Sequence, residues 1–372
     1  MKRTTYLFLT SFLILIVAAL LSSCRGPEGP QGPSGESTVV NLEGFAPDIN
    51  CGNCHNPDQD STYYVWAKKY QWERSKHAIG GDYERNSSSC AGCHTTEGFV
   101  KRMQGKPVTN QVDSSPPGCF ACHAPHANGD FALRNVEPVT ISSNITGVPN
   151  ASFDFGKGNL CVQCHMTRNM TPKPDPTKGA ATDSIVITTS RWYSHYGVQG
   201  QMLMGDGGFK FPGFTYTGNS PHSSLPALKQ EGCISCHMAD ATAGSGIAGG
   251  HTMNLRYEFH GAAASLLNGC NQSGCHASIT TLDYKGVQTA VHANLDTLQT
   301  LLINKGWLEG NPASANYLQA KLTGGRLVIK PANRSGALYN YFFIEHDLSQ
   351  GVHNTKYALE LLRSSIEELR KP

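Results

Sequence analysis

Cys161-Val162-Gln163-Cys164-His165 is one of five matching strings. Cys51-Gly52-Asn53-Cys54-His55, Cys90-Ala91-Gly92-Cys93-His94, Cys119-Phe120-Ala121-Cys122-His123 and Cys233-Ile234-Ser235-Cys236-His237 repeat its spacing. Two thiols three residues apart can add across the two vinyl groups of one haem while the next imidazole reaches the iron, so Cys-x-x-Cys-His reads as a covalent attachment site. With 13 cysteines and 15 histidines in 372 residues, random placement gives roughly 0.02 copies, which excludes chance. A sixth copy is stretched, Cys270-Asn271-Gln272-Ser273-Gly274-Cys275-His276, with four residues between its thiols. Zinc ribbons and disulfides use the same residue types. Zinc leaves unexplained why a histidine directly follows every pair, and disulfides would join distant segments rather than group cysteines in twos. The expectation is six covalently bound c-type haems.

Working outward, the attachment strings begin 39, 29, 42, 72 and 37 residues apart, too irregular for a tandem repeat. They belong to one connected array. Only 39% of the chain is hydrophobic, and it holds 39 glycines and 20 prolines, so loops dominate. The macrocycles are expected to supply much of the apolar volume, with little folding in their absence. The predicted fold is mainly α with much irregular loop, wrapped around a stacked haem array and closed by C-terminal helices. Between His165 and Cys233 lie a proline-rich stretch from Thr171 to Pro176, a β-branched run from Ile185 to Thr189 and an aromatic, glycine-rich loop through Phe214. Val287, Ala290, Val291, Leu295, Leu298, Leu301 and Leu302 recur at helical spacing, as do Ala358, Leu361, Leu362, Ile366 and Leu369, predicting two amphipathic helices that pack over the array.

At the N-terminus, Lys2 and Arg3 precede an apolar run from Leu7 to Leu21, the pattern of a secretory signal segment rather than a membrane span. Leu21-Ser22-Ser23-Cys24 resembles the bacterial lipoprotein signal, which implies lipidation of Cys24, the one cysteine outside the six pairs. Arg25 does not resemble the aspartate of the inner-membrane retention signal, which favours the outer membrane. Gly26-Pro27-Glu28-Gly29-Pro30-Gln31-Gly32-Pro33-Ser34-Gly35 is a collagen-like run too short for a stable triple helix, so it reads as an extended tether. The predicted organisation is residues 1–23 signal peptide, 24–50 lipid-anchored tether, 51–280 hexahaem-binding domain and 281–372 helical segment returning a ligand. Without Lys2 and Arg3 the chain has 28 basic and 28 acidic residues. Haem propionates would make it acidic, and no basic run suggests nucleic acid.

The second axial position decides the chemistry, because a six-coordinate iron only passes electrons while an open one can bind a substrate. His55, His94, His123, His165, His237 and His276 fill one side each. Nine histidines remain: His77, His126, His195, His222, His251, His260, His292, His346 and His353. His126 stands three residues after His123, too near to reach the far face of the same macrocycle, so as a ligand it must serve a neighbour.

Several contexts resemble the multihaem c-type cytochromes related to cytochrome c nitrite reductase and hydroxylamine oxidoreductase. Trp72-Glu73-Arg74-Ser75-Lys76-His77-Ala78 looks like that family's distal-ligand segment. Tyr193-Ser194-His195-Tyr196-Gly197-Val198-Gln199, Asn219-Ser220-Pro221-His222 and Gly249-Gly250-His251-Thr252 are similar to ligand loops of multihaem lipoproteins, and Gly351-Val352-His353-Asn354 resembles a segment returning a histidine from a helical tail. The resemblance spans most of the chain from Cys51. It implies distal ligation by His77, His126, His195, His222, His251 and His353, with His260, His292 and His346 as spares. Met166 and Met238 follow attachment histidines directly and cannot reach the opposite faces.

The expectation is therefore an exported electron carrier, not an enzyme, relaying electrons from a redox-protein donor to a redox-protein, mineral or other extracellular acceptor. It would be membrane-anchored through lipid, on the periplasmic or cell-surface side. The alternative is a reductase of a small nitrogen or sulfur oxyanion at one open haem, with the stretched Cys270/Cys275 site first suspect. The related nitrite reductases carry a Cys-x-x-Cys-Lys, which this chain lacks. A third reading is a haem filament with ligands exchanged between subunits.

Overall fold

A computed structural model describes residues 52–56, 62–218, 220–241, 246–272, 274–311 and 314–372. The signal segment, Cys24, the tether and Cys51 lie outside the described residues. Five helices there reach eight residues or more: α1 Val65–Trp72, α2 Thr96–Met103, α3 Val287–Asn304, α4 Ser335–Glu345 and α5 Thr355–Arg370. The strands are short and form four antiparallel pairs. These join β1 Val139–Ile141 to β2 Ala151–Phe153, β3 Ile185–Ile187 to β8 Leu327–Ile329, β4 Arg256–Phe259 to β5 Ala262–Ser265, and β6 Leu308–Asn311 to β7 Ser314–Ala320. Irregular chain connects them, as the glycine and proline content requires.

The two periodic stretches are α3 and α5. In α3, Val291, Leu298 and Leu302 are buried; in α5, Tyr357, Ala358, Leu361, Leu362, Ile366 and Leu369 are. Asn354 starts α5 as an N-cap, its Oδ1 accepting from the Tyr357 amide at 3.2 Å. Between them runs a third helix that periodicity does not reveal. Ten of the eleven residues of α4 are buried, so no polar face remains to generate a repeat. Each large apolar side chain removed from water there contributes about 1.5–3 kcal/mol.

These helices pack on one another and on the middle of the chain. Trp192, Met202, Phe209 and Phe211 join α3, α4 and α5 in the largest apolar core. Gly336 lets α4 close on Phe209, since a Cβ there would come within 2.1 Å of its ring. The Asn340 amide then satisfies that residue's backbone, accepting from Phe209 N at 2.7 Å and donating to Phe209 O at 2.8 Å. Tyr339 donates to Gly207 O and Tyr357 accepts from Gly208 N, both at 2.9 Å. Strand β3, the β-branched run, ties the middle to the tail through Ile185 opposite Ile329. The tail is thus not purely helical, because β6, β7 and β8 lie between α3 and α4. By contrast, α1 buries no residue, and near the earlier cysteine motifs the clusters are small: Phe99, Ala121 and Leu160 form one, and Val139, Ile141, Phe153, Phe155 and Val162 another.

Candidate cofactor-binding site

Each regular motif folds as a single helical turn or its end: Gly52–His55, Ala91–His94, Cys119–Cys122, Gly158–Val162 and Ile234–His237. A turn puts residues three apart on the same face, so both thiols point one way. The histidine amide then returns to the first cysteine's carbonyl. It does so at 3.2 Å for His94, 2.8 Å for His123 and 3.0 Å for both His165 and His237. The stretched copy keeps this closure, with His276 N donating to Cys270 O at 3.1 Å. All eleven described cysteines are unbridged. No group of three or more His, Cys, Asp or Glu among the described residues converges as a metal-ion site.

Every motif histidine faces one other histidine. The pairs are His55 with His126, His77 with His165, His94 with His195, His123 with His251, His222 with His276 and His237 with His353. Their ring centroids are 6.1 to 6.3 Å apart, while the interplanar angles run from 19° to 81°. Rings in van der Waals contact would lie closer when parallel than when crossed. Constant separation at any angle instead describes two rings free to turn about a shared axis. Two imidazoles bound through nitrogen to one metal meet this figure: about 2 Å per bond and roughly 1.1 Å from nitrogen to ring centre give about 6.2 Å.

None of the three spare histidines has such a counterpart. His292 is exposed on α3 with Asp296 at 3.6 Å, His260 is exposed beside Phe259, and His346 is buried among Tyr193, Tyr196 and Phe342. None of the twelve paired histidines is fully buried. His165 is among the exposed ones.

Local sequence explains how the non-motif partners are presented. Trp72 Nε1 donates to Pro117 O at 2.9 Å, and buried Ser75 caps the turn Lys76–Ile79, accepting from Ala78 N at 3.2 Å. This is why a tryptophan and a serine precede His77. Pro125 opens the turn carrying His126 and Gly129 ends it. A capping box of Ser220 and Ser223 frames His222. The amide of His251 donates to Gln71 Oε1 at 3.0 Å, joining its loop to α1.

Hydrogen bonds at Nδ1 fix several tautomers. His222 meets Val352 O at 2.9 Å, His237 meets Met253 O at 3.3 Å and His123 meets Ala132 O at 3.4 Å. A carbonyl can only accept, so Nδ1 carries the proton and Nε2 presents a lone pair. Gln199 Oε1 does the same for His165 at 3.2 Å. Burial pushes His77, His195 and His251 down to about 4, reinforced by facing His165, by Arg168 and by Lys68 respectively. His94, His123, His165, His222 and His237 are also held below the usual histidine value, by burial first. Neutral imidazole is the form that binds a metal. His353 differs: burial lowers it, but the Asp347 carboxylate more than offsets this and raises it.

The motifs adjoin one another. Cys164 Sγ lies 3.8 Å from Cys93 O, Cys93 Sγ lies 4.0 Å from Gln163 O, and Cys161 adjoins Cys233. Burial pushes Cys122 up to about 12, helped by Cys161. Burial likewise raises Cys236 to about 11, helped by Cys270 and Cys275. The motif ending in His165 therefore adjoins three others, and that of His276 lies beyond the His237 motif. A cavity of about 210 Å³ opens beside Cys90, Cys93, Cys164, Arg102 and Arg168. Arg102 Nε is buried there without a partner, which suits a ligand bearing an anionic substituent.

No family model matches the chain, and no curated protein is similar to it. By structure it is similar to the crystal structure of outer cell wall cytochrome OcwA, with TM-score 0.47 and 18% identity. The match covers 82% of this chain and 50% of that one, so the chain spans half that protein's length. Among the described residues no helix is long and apolar enough to cross a membrane.

Proposed function

We propose that this chain is a hexahaem c-type cytochrome that relays electrons. The observation that carries the reading is the set of six opposed histidine pairs, each joining one attachment-motif imidazole to one from elsewhere, at a spacing that fits one metal between them. Cys51 and Cys54, Cys90 and Cys93, Cys119 and Cys122, Cys161 and Cys164, Cys233 and Cys236, and Cys270 and Cys275 would hold the six haems by thioether bonds. His55, His94, His123, His165, His237 and His276 would be the proximal ligands, and His126, His195, His251, His77, His353 and His222, in the same order, the distal ones.

The bound haems supply one-electron exchange between ferrous and ferric iron. The residues do the rest. Paired imidazoles leave no axial position for a substrate, which favours a carrier over an oxyanion reductase. The stretched motif is no exception, because His276 faces His222 at 6.2 Å. Contacts among motifs would provide a branched route centred on His165, with the His94 centre at one tip and the His276 centre beyond that of His237.

The signal segment, Cys24 lipidation and the Gly26–Gly35 tether support export and anchoring at the outer membrane. On that reading the donor and acceptor would be periplasmic or extracellular redox proteins, or a mineral surface. Intact mass and the electron paramagnetic resonance (EPR) spectrum of the oxidised holoprotein test the proposal. Six haems and only low-spin iron are expected. A colourless protein of bare polypeptide mass sinks the cofactor reading, and a stoichiometric high-spin signal sinks the closed carrier.

A further inference from the structure

We propose that Asp347 makes the centre built on His237 and His353 the lowest-potential point of the relay. The inference rests on the six-haem reading and concerns what differs among the six pairs. Of the Nδ1 partners given above, three are backbone carbonyls and one is an amide oxygen; His353 alone meets a carboxylate. Asp347 Oδ1 lies 2.7 Å from His353 Nδ1, and the Asp347 side chain is only 1% exposed. A charged acceptor pulls the Nδ1 proton harder than a neutral one. The imidazole gains anionic character, Nε2 becomes a stronger donor, and the ferric state is favoured.

The surrounding loop is built to hold that carboxylate. Ser349 Oγ donates to Asp347 Oδ2 and accepts from the His353 amide at 3.2 Å, closing a small ring of contacts. Leu348 and Gln350, on either side of Ser349, both adopt left-handed backbone, with φ of 59° and 53°. Non-glycine residues hold that conformation only where the surroundings impose it. The loop lies between α4 and α5, both anchored in the largest core, so the carboxylate sits on a rigid mount.

The centre's position gives the difference a consequence. It lies between the His165 branch point and the His276 tip, so electrons passing that way cross a step that the other two arms lack.

Spectroelectrochemical titration of the holoprotein tests this. In Asp347→Asn the lowest of the six reduction steps should move to higher potential while the other five stay. In Ser349→Ala the carboxylate loses a hydrogen-bond donor and its charge falls more fully on His353, so the same step should move lower. An unmoved lowest step, a shift of another step, a common shift of all six, or shifts of the same sign in both variants overturns the assignment. If Asp347→Asn loses a haem by mass, the direction in Ser349→Ala decides alone. Six haems and low-spin spectra in either variant would leave the relay standing even where the Asp347 assignment falls.

Discussion

Replacing His77 by alanine perturbs one pair and leaves the other five untouched. His77 is held by the Ser75 cap and faces His165 at 6.1 Å, with the rings crossed at 68°. Ring orientation matters because each imidazole donates π density into an iron d orbital perpendicular to its own plane. Parallel rings raise one orbital and split the set widely; crossed rings raise two alike and leave them nearly degenerate. The pairs at 68°, 76° and 81° should therefore give strongly anisotropic low-spin signals, and those at 19°, 34° and 44° ordinary rhombic ones. In His77→Ala the anisotropic group should fall from three centres to two, and a new high-spin signal should carry about one sixth of the iron, since one centre of six loses an axial ligand. EPR of the oxidised variant, integrated against His292→Ala as control, reads both. An intact anisotropic group, or intensity lost from the rhombic one, would refute the pairing of His77 with His165.

Other outcomes follow from the same geometry. Ser75→Ala removes the cap beneath His77 and should cost about 1 kcal/mol in thermal unfolding, with partial high-spin character at the same centre. Arg168, whose Nη2 donates to Ser89 O at 2.6 Å, sets its charge near Cys90, His94 and His195. Arg168→Gln should lower the potential of that centre in a redox titration. Phe209→Ala empties the site under Gly336 and should destabilise by about 3–5 kcal/mol, seen in denaturant melts, without changing haem content. In protein made without haem, hydrogen exchange should find α3, α4 and α5 protected and residues 62–130 unprotected, because the large apolar core is the chain's own.

The attachment motifs were legible because haem chemistry dictates both residue type and spacing within five positions. The segments around the non-motif histidines were picked out by resemblance, and the structure supplies local reasons for some of their residues: Trp72, Ser75 and Ser220 serve anchors and caps whose physics is short-range. Which histidine meets which was not, since the paired residues lie 54 to 128 positions apart and no local signal spans that distance. Helices α3 and α5 announced themselves by their polar faces, whereas α4 had none to show. Asp347 was invisible because a carboxylate in a loop looks like any solvated one until Ser349 and His353 are seen around it.

The interleaving of those pairs bears on how the molecule is made. A chain emerging N-terminus first completes the His55 pair when His126 appears, then the others as His165, His195, His251, His276 and His353 follow. Three other pairs, begun by His77, His94 and His123, are already open when His126 arrives, so the closures interlock, and the finished fold is locked only by its last stitch, at His353.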